Sequence, residues 1–535
     1  MSALERLRQA ISAQEDALRA AVPADRPAAI AALVRTVDQL SAPVSAGSDF
    51  DLVTGQHLPN LGGAAALRLC LESSDAAATG PTLSIDQLEA WAERFLRDCA
   101  ALEAAQQVLA HVETGFMRLV EDGQNRFAAW IGTKLAPASW RERADIAWWH
   151  AMLAHKHRTE LEEARANLGQ AHRTASNMDT VSRRFADIHL RMMADQIGFP
   201  PDAVLGGCSY RTYQAVLRQL IAMASAARNR DGAPEPHAEA SLIAALASAL
   251  TIDPAMIATA LAALTLDEQN AAYHAATPDV MAPLVRVSPD RVVWSVHGLT
   301  TRPILFLHRE LRRRAAAEYH TNTATREDLF RQDFYALFTD KRFVTSPGRI
   351  ALRRERGDLR TDVDAVVFDR KTGALGLFEL KWQDPFARST AESTRQGETM
   401  LHANRQVAGI LDWINRHGAD EILNRVDART ARTFRVQKVV PFVVGRYLMH
   451  LGAGAVPDRR IAWATWPQVL RLVDGQPVGT GGGNPLASLF TRLRQADAEV
   501  RFPSDASSRE IDLRTTSLIV HPSFAAFQAA SETRK

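Results

Sequence analysis

The sequence predicts a multidomain chain: a mainly α-helical N-terminal region followed by a C-terminal α/β domain built on a central mixed sheet. Three observations predict it. The chain has 535 residues, more than one hydrophobic core ordinarily organises, so about two to four domains are expected. Up to about residue 270 the sequence is rich in Ala, Leu, Arg and Glu, and its apolar residues recur at spacings of three and four. Near residue 290 the composition changes, and short runs rich in Val, Ile and Phe alternate with helical stretches. These shifts divide the chain into a helical domain over 1–205, a second helical domain or connector over 206–290, an α/β domain over 291–505 and a polar tail over 506–535.

Each element has its own signal. In the stretch from Ile85 to Val120, Leu88, Trp91, Phe95, Leu102 and Leu109 fall near one helical face. Thr159 to Asn167 is a charged helix of the solvated kind. Ala238 to Leu264 is strongly apolar but broken by Asp253-Pro254, so it reads as two packed helices rather than a membrane span. In the α/β region, Val292 to Val296 reads as a strand, and Pro303 to Tyr319 and Arg326 to Phe338 read as helices. Arg342 to Arg353, Asp362 to Asp369 and Ala374 to Trp382 read as three strands. A helix over Ala391 to His417 and strands at Phe434 to Val444 and Ile461 to Trp466 complete the order. Gly479 to Gly483 lacks a following Lys-Ser/Thr and reads as a flexible connection, not a phosphate loop.

Bulk properties exclude several classes. Apolar content is 46% and charged content 23%, ordinary values for a soluble globular protein. The net charge is only +2, so any basic surface for nucleic acid must be local. Cys70, Cys99 and Cys208 form no CxxC pair, which argues against a disulfide framework or a structural zinc site. The first twenty residues mix charges with leucines and lack a signal-peptide core, so a cytoplasmic protein without membrane contact is expected. His150 and His155 are five apart and do not share a helical face, and no HExxH is present. Trp130, Trp140, Trp148 and Trp149 suit core packing better than base stacking.

The informative stretch runs from Arg360 to Trp382. Its two apolar arms are joined by Arg370-Lys-Thr-Gly373, a short polar segment with Gly where a hairpin turn needs φ > 0. If 370–373 is the turn, Asp369 faces Ala374, and counting back places Asp364 opposite Glu379. Directly opposed residues share a face, with Cβ atoms about 5 Å apart. Glu379 and Lys381, two apart, share that face too. The hairpin therefore gathers two carboxylates and one ammonium, with Val363, Ala365, Val367, Phe378 and Leu380 on the opposite face. Two like charges in an apolar sheet repel unless a cation lies between them. A hard divalent ion such as Mg²⁺ meets that need, and Lys381 offers partial neutralisation without one. An ordinary ion-pair ladder of Asp362, Asp364, Glu379 and Lys381 on a solvated sheet face is the structural alternative.

This arrangement resembles the PD-(D/E)xK nuclease superfamily, which includes restriction endonucleases and Holliday-junction resolvases. The resemblance spans Arg326 to about Trp466 and rests on Asp364 and the Glu379-Leu380-Lys381 E-x-K element in a helix–meander–helix–strand order; Val363 stands where the motif name has proline. It implies a restriction-endonuclease-like fold and metal-dependent phosphodiester hydrolysis by Asp364, Glu379 and Lys381. It further implies that Asp364, Glu379 and the carbonyl of Leu380 hold Mg²⁺, with Mn²⁺ as a substitute, and that Glu327, or second to it Asp333, completes the site. Gln396 or Gln406 is implied as a support for the lysine or its strand. The implied substrate is DNA, in bacterial defence against foreign DNA or in repair and recombination. Arg309, Arg312, Arg313 and Arg314, together with Lys341, Arg342, Arg349, Arg353, Arg354, Arg356 and Arg360, are basic residues suited to phosphate contacts or to a solvated face. Of these, Arg312, Arg313, Arg349, Arg353 and Arg354 are the leading nucleic-acid contacts. The helical region is expected to recognise a substrate or a protein partner, or to hold the nuclease in check, and a homo-oligomer is expected for double-strand cutting. A nucleic-acid-binding scaffold that does not cut is the alternative from another class.

Overall fold

A computed structural model describes residues 2–40, 58–72, 81–113, 115, 117–123, 125–131, 157–174, 178–194, 198–227, 235–275, 280–353, 359–382, 390–446, 458–473, 478, 483–496, 508–521 and 528. Helices and mixed sheets alternate through it, in two compact units. The first comprises 1–131, 152–322 and 506–535, and the second comprises 132–151 and 323–505. This differs from the division expected from composition. Residues 291–322 and the tail belong with the first unit. Within them, strands Arg291–Trp294, Arg509–Leu513 and Thr516–His521 pair with strands of the first unit, which composition does not register.

The first unit is helical at its N-terminal end as expected, with long helices at Ala3–Ala20, Arg26–Leu40, Leu58–Glu72 and Ile85–Glu113. The Asp253-Pro254 break behaves as read: the Asp253 side chain accepts from the Ala255 N–H at 2.7 Å and Pro254 takes the first helical position. Among the described residues no single helix is long and apolar enough to cross a membrane, and Glu239–Leu250 and Pro254–Ala262 together are bent by 119°. Among the described residues this unit also holds a two-stranded sheet, Val204–Leu205 with Cys208–Ser209, and two four-stranded ones. In one, Arg126–Ile131 pairs antiparallel with Met117–Glu121 and parallel with Thr516–His521, whose other neighbour is Arg509–Leu513. In the other, Arg291–Trp294 lies between His237–Ala238 and Leu284–Ser288.

The second unit carries the hairpin. Helix α1 (Thr323–Tyr335) leads into β1 (Phe343–Thr345), β2 (Ile350–Arg353), β3 (Leu359–Val363), β4 (Ala365–Asp369) and β5 (Ala374–Lys381). Then follow α2 (Thr390–His417), α3 (Ala419–Val426), α4 (Ala428–Thr433), β6 (Lys438–Gly445), β7 (Ala462–Thr465), α5 (Trp466–Val473) and α6 (Pro485–Ala496). The mixed sheet runs β7-β6-β5-β4-β1, parallel across β5, β6 and β7 and antiparallel across β5, β4 and β1. The hairpin register is the expected one, with Asp369 opposite Ala374 and Ala365 opposite Phe378. Gly373 closes the turn at φ 67°, and a Cβ there would come within 2.6 Å of Gln437 Cγ.

Both sheet faces are covered, so the near-continuous apolar run of β4 and β5 is what a sheet buried on two sides requires. On one face Val366, Phe368, Leu375 and Leu377 pack with Ile410 and Trp413 of α2. On the other, Phe378 stacks on Phe442 at 4.5 Å and meets Phe334 of α1 at 4.4 Å. Each such aromatic contributes roughly 1.5–3 kcal/mol by burial. The alternative of a solvated charged face is not what the sheet shows: Asp364 and Glu379 are buried on the α2 face.

Two expected strands are split. Arg342 to Arg353 divides into β1 and β2, and Asp362 to Asp369 divides at Asp364, so that β3 pairs with β2 while β4 joins the main sheet. Side chains hold the backbone at the second break. Arg331 donates to the Asp364 carbonyl at 3.2 Å, and the Val366 N–H reaches Tyr335 Oη at 3.2 Å.

Candidate functional site

Asp364 sits one residue beyond the last β4–β5 pair, where the chain passes from β3 to β4. Its Oδ2 accepts from the Leu380 N–H at 2.9 Å, which locks the carboxylate over the end of β5. Glu379 and Lys381 alternate with Leu380 on that strand, and Lys381 Nζ lies 2.5 Å from Glu379 Oε1 and 3.9 Å from Asp364 Oδ2. The three residues named from the register are therefore together. A solvated ion-pair ladder is not what they form: Asp364 is 6% exposed and Glu379 1%.

Glu327, on the first turn and a half of α1, also reaches this cluster. It contacts Arg349, whose Nε lies 3.5 Å from Asp364 Oδ1. Burial, followed by the charge of Asp364, holds the Glu327 carboxyl above its usual value, with Arg349 and Lys381 acting in the opposite direction. Asp333 lies elsewhere, paired with Arg446 at 2.7 Å and half exposed. It is not a member of the site, because α1 turns it to another face.

The electrostatics are those of a cluster short of positive charge. Glu379 is pushed up to about 8, by burial first and the charge of Asp364 second; Lys381 opposes both without matching them. Among the described residues the close donor to Glu379 is the Lys381 ammonium, which serves Oε1 at 2.5 Å and is shared with Asp364. Asp364 is raised by burial, against the pull of Lys381 and Arg349. Burial acts to lower Lys381, but Glu379 and Asp364 together outweigh it and the ammonium is held above its ordinary value. Lys381 is thus a protonated donor at neutral pH, suited to orienting a water or a phosphate oxygen rather than to removing a proton.

A buried, donor-poor carboxylate beside a second one is a donor set that a hard cation fits, because a cation supplies the charge that Lys381 alone does not. Asp364, Glu379 and the Leu380 carbonyl lie on adjacent backbone, and Glu327 faces them through Arg349. Among the described residues no group of three or more His, Cys, Asp or Glu side chains is disposed to hold a metal ion as they stand. Arg349 lies against two of the carboxylates that a third-ligand arrangement would use.

The remaining expected residues separate clearly. Gln406 of α2 donates to Asp362 Oδ1 at 3.5 Å, so it reaches the strand beside the site rather than Lys381. The side chain of Gln396 and all of Arg354 and Arg356 lie outside the described residues, as do Trp140, Trp148, Trp149, His150 and His155. Arg353 is exposed on β2. Arg312 and Arg313 belong to the helix Pro303–Arg314 of the first unit, not to the unit that bears the site. Arg313 and Arg314 are committed to Glu310, at 2.7 and 2.6 Å. Arg309 is buried against Tyr273, and Arg342 grips Asp369 with two bonds of 2.8 and 2.6 Å. Arg309, Arg313, Arg314 and Arg342 thus have ion-pair or stacking partners within the chain. Their acceptors are distant in sequence or sit one helical turn back, and arginine spacing alone does not reveal them.

Sequence reasoning also missed Arg331, which fixes the Asp364 backbone, and Arg446. The Arg446 N–H donates to the Lys381 carbonyl at 2.8 Å, and its guanidinium lies about 5 Å from the rings of Phe330 and Trp382. The parallel pairing of β5 with β6 would have pointed to Arg446, since it follows the residue paired with Lys381. The three cysteines are buried, and burial raises their thiols, Cys70 to about 12, in keeping with the unreactive role expected. No protein-family model matches the chain, and comparisons with curated proteins and with solved structures found no match.

Proposed function

We propose that the second unit is a metal-dependent nuclease that hydrolyses phosphodiester bonds, with DNA as its substrate and Asp364, Glu379 and Lys381 as its centre. One observation carries this reading: Glu379 is buried beside a second carboxylate, Asp364, and the two share the single ammonium of Lys381. A fold gains nothing in stability from such a carboxylate, whereas a cation-binding site requires it.

Asp364 and Glu379 would hold Mg²⁺ or Mn²⁺ with the Leu380 carbonyl, and the ion would polarise the phosphate and lower the pKa of a water. The Leu380 N–H keeps the Asp364 carboxylate aimed at β5. Lys381 presents its protonated Nζ beside both carboxylates, where it can hold the attacking water and offset charge developing on phosphorus. Arg331 and Tyr335, both from α1, keep the chain broken at Asp364 and so keep its side chain out of the ladder. Defence against foreign DNA is the setting we favour for a large helical region joined to such a unit.

The test is cleavage of linear, circular and single-stranded DNA with Mg²⁺ or Mn²⁺ by the wild type, Lys381→Ala and Asp364→Ala. Metal-dependent cutting by the wild type, lost in both variants with folding unchanged, is the expected result. Cutting that survives in both variants sinks the assignment of this centre.

A further inference from the structure

Arg349 stands in the last position before β2, with its side chain 37% exposed. Its guanidinium contacts Glu327 and places Nε 3.5 Å from Asp364 Oδ1. It therefore bridges a carboxylate on α1 and a carboxylate at the β3–β4 break. Lys381 takes the remaining acid, Glu379. The positive charge next to Asp364 and Glu327 is supplied by a side chain that is partly in solvent and can leave without disturbing the core.

Asp364 and Glu327 are the carboxylates that Arg349 contacts, and Lys381 faces Glu379 and Asp364. A divalent cation held by Asp364 and Glu327 would take the oxygens that Arg349 now occupies, and two cations on the same oxygens repel. A cation entering the site thus favours departure of the arginine, and a freed guanidinium is a planar fork matched to phosphate oxygens.

We propose that Arg349 is an exchangeable cation: it bridges Glu327 and Asp364 until a divalent ion displaces it, and its guanidinium then engages a phosphate of the substrate backbone. This rests on the nuclease reading and adds to it a coupling between ion entry and phosphate capture. Cation and phosphate ligand raise each other's affinity through one side chain.

The experiment measures Mn²⁺ affinity by calorimetry on the full chain for the wild type, Arg349→Met, Arg349→Gln and Glu379→Gln. It also measures binding of a short DNA duplex in Ca²⁺ for the same proteins. Removing the competing guanidinium is expected to tighten Mn²⁺ binding about tenfold in Arg349→Met and to weaken duplex binding about tenfold. Arg349→Gln, which keeps the polarity and loses the charge, moves both quantities in the same directions and guards against a folding defect in the methionine variant. Mn²⁺ binding that is unchanged or weaker in both Arg349 variants, yet present in the wild type and lost in Glu379→Gln, overturns the exchange while leaving the nuclease reading intact. Unchanged duplex affinity overturns the phosphate contact. No Mn²⁺ binding by any of the four proteins overturns the nuclease reading and the exchange together.

Discussion

Glu310 in the first unit and Glu379 in the second are equally buried, and what separates them is the supply of donors. Glu310 accepts from His274 Nε2 at 3.0 Å, from Arg313 at 3.0 and 2.7 Å and from Arg314 at 2.6 Å. Burial acts to raise its carboxyl, but the bonds from His274, Arg313 and Arg314 outweigh burial and hold it well below the usual carboxylate range. Glu379 has the ammonium of Lys381, shared with Asp364, and a carboxyl pushed up to about 8. Asp369, at the far end of the same hairpin, resembles Glu310: Arg342, Thr372 and the Lys371 N–H all donate to it. A buried acid is therefore no mark of function by itself. An acid that the fold leaves short of donors, while it supplies them generously elsewhere, is one.

The largest effect that would sharpen this contrast is on rate. Asp364→Ala is expected to reduce metal-dependent cleavage by about a hundredfold or more, and Arg313→Ala to leave it unchanged, in a single-turnover cleavage assay. Equal losses in the two variants would erase the distinction between the sites. Next comes stability. Glu310→Gln strands Arg313 and Arg314 against a neutral group and is expected to cost about 3 kcal/mol in urea unfolding, whereas Glu379→Gln is expected to be neutral or stabilising without metal.

Cation binding should act on one glutamate only. Mg²⁺ at a hundredfold excess over Kd is expected to stabilise the wild type by about 2.7 kcal/mol, and to do nothing for Glu379→Gln, in thermal unfolding. The pH dependences have opposite signs. The Glu379 carboxyl is raised from 4.5 to about 8, so its contribution is full below 4.5 and is lost as pH rises through about 8. The Glu310 carboxyl is depressed, so its contribution is present above 4.5 and is lost as pH falls through its lowered value. Metal-free melting temperatures of the wild type and both glutamine variants across this range read the two slopes. Parallel curves for the wild type and Glu379→Gln would remove Glu379 from the argument. The smallest effect is at Asp369, where Thr372→Val deletes one of several bonds and is expected to cost about 1 kcal/mol with cleavage unaffected.

What was legible in the sequence was local. The turn at Gly373 set the register, and the register set Asp364 against Glu379, so three site residues followed from one glycine and a period of two. Asp253-Pro254 announced a helix start in the same way. What was hidden depended on distant partners. The break at Asp364 needs Arg331 and Tyr335 from α1, and nothing in residues 360–369 betrays it. Arg342 is visible as a basic residue but not as the partner of Asp369, which lies beyond three strands. The pairing of Arg509–Leu513 and Thr516–His521 was hidden for the same reason, since a polar tail and an edge hairpin differ only in whether a neighbouring strand awaits them.

That last pairing has a consequence for how the protein is made. Thr516–His521 lies beside Arg126–Ile131 in parallel, and everything from 132 to 515 is translated between the two. At about 5–20 residues per second the ribosome takes roughly 20–80 s over that interval. Throughout it, one edge of the strand that carries Phe127 and Trp130 has no neighbour, which is a standing invitation to wrong pairing and to chaperones. The stretch bearing Asp364, Glu379 and Lys381 leaves the ribosome complete before the first unit can close its sheet.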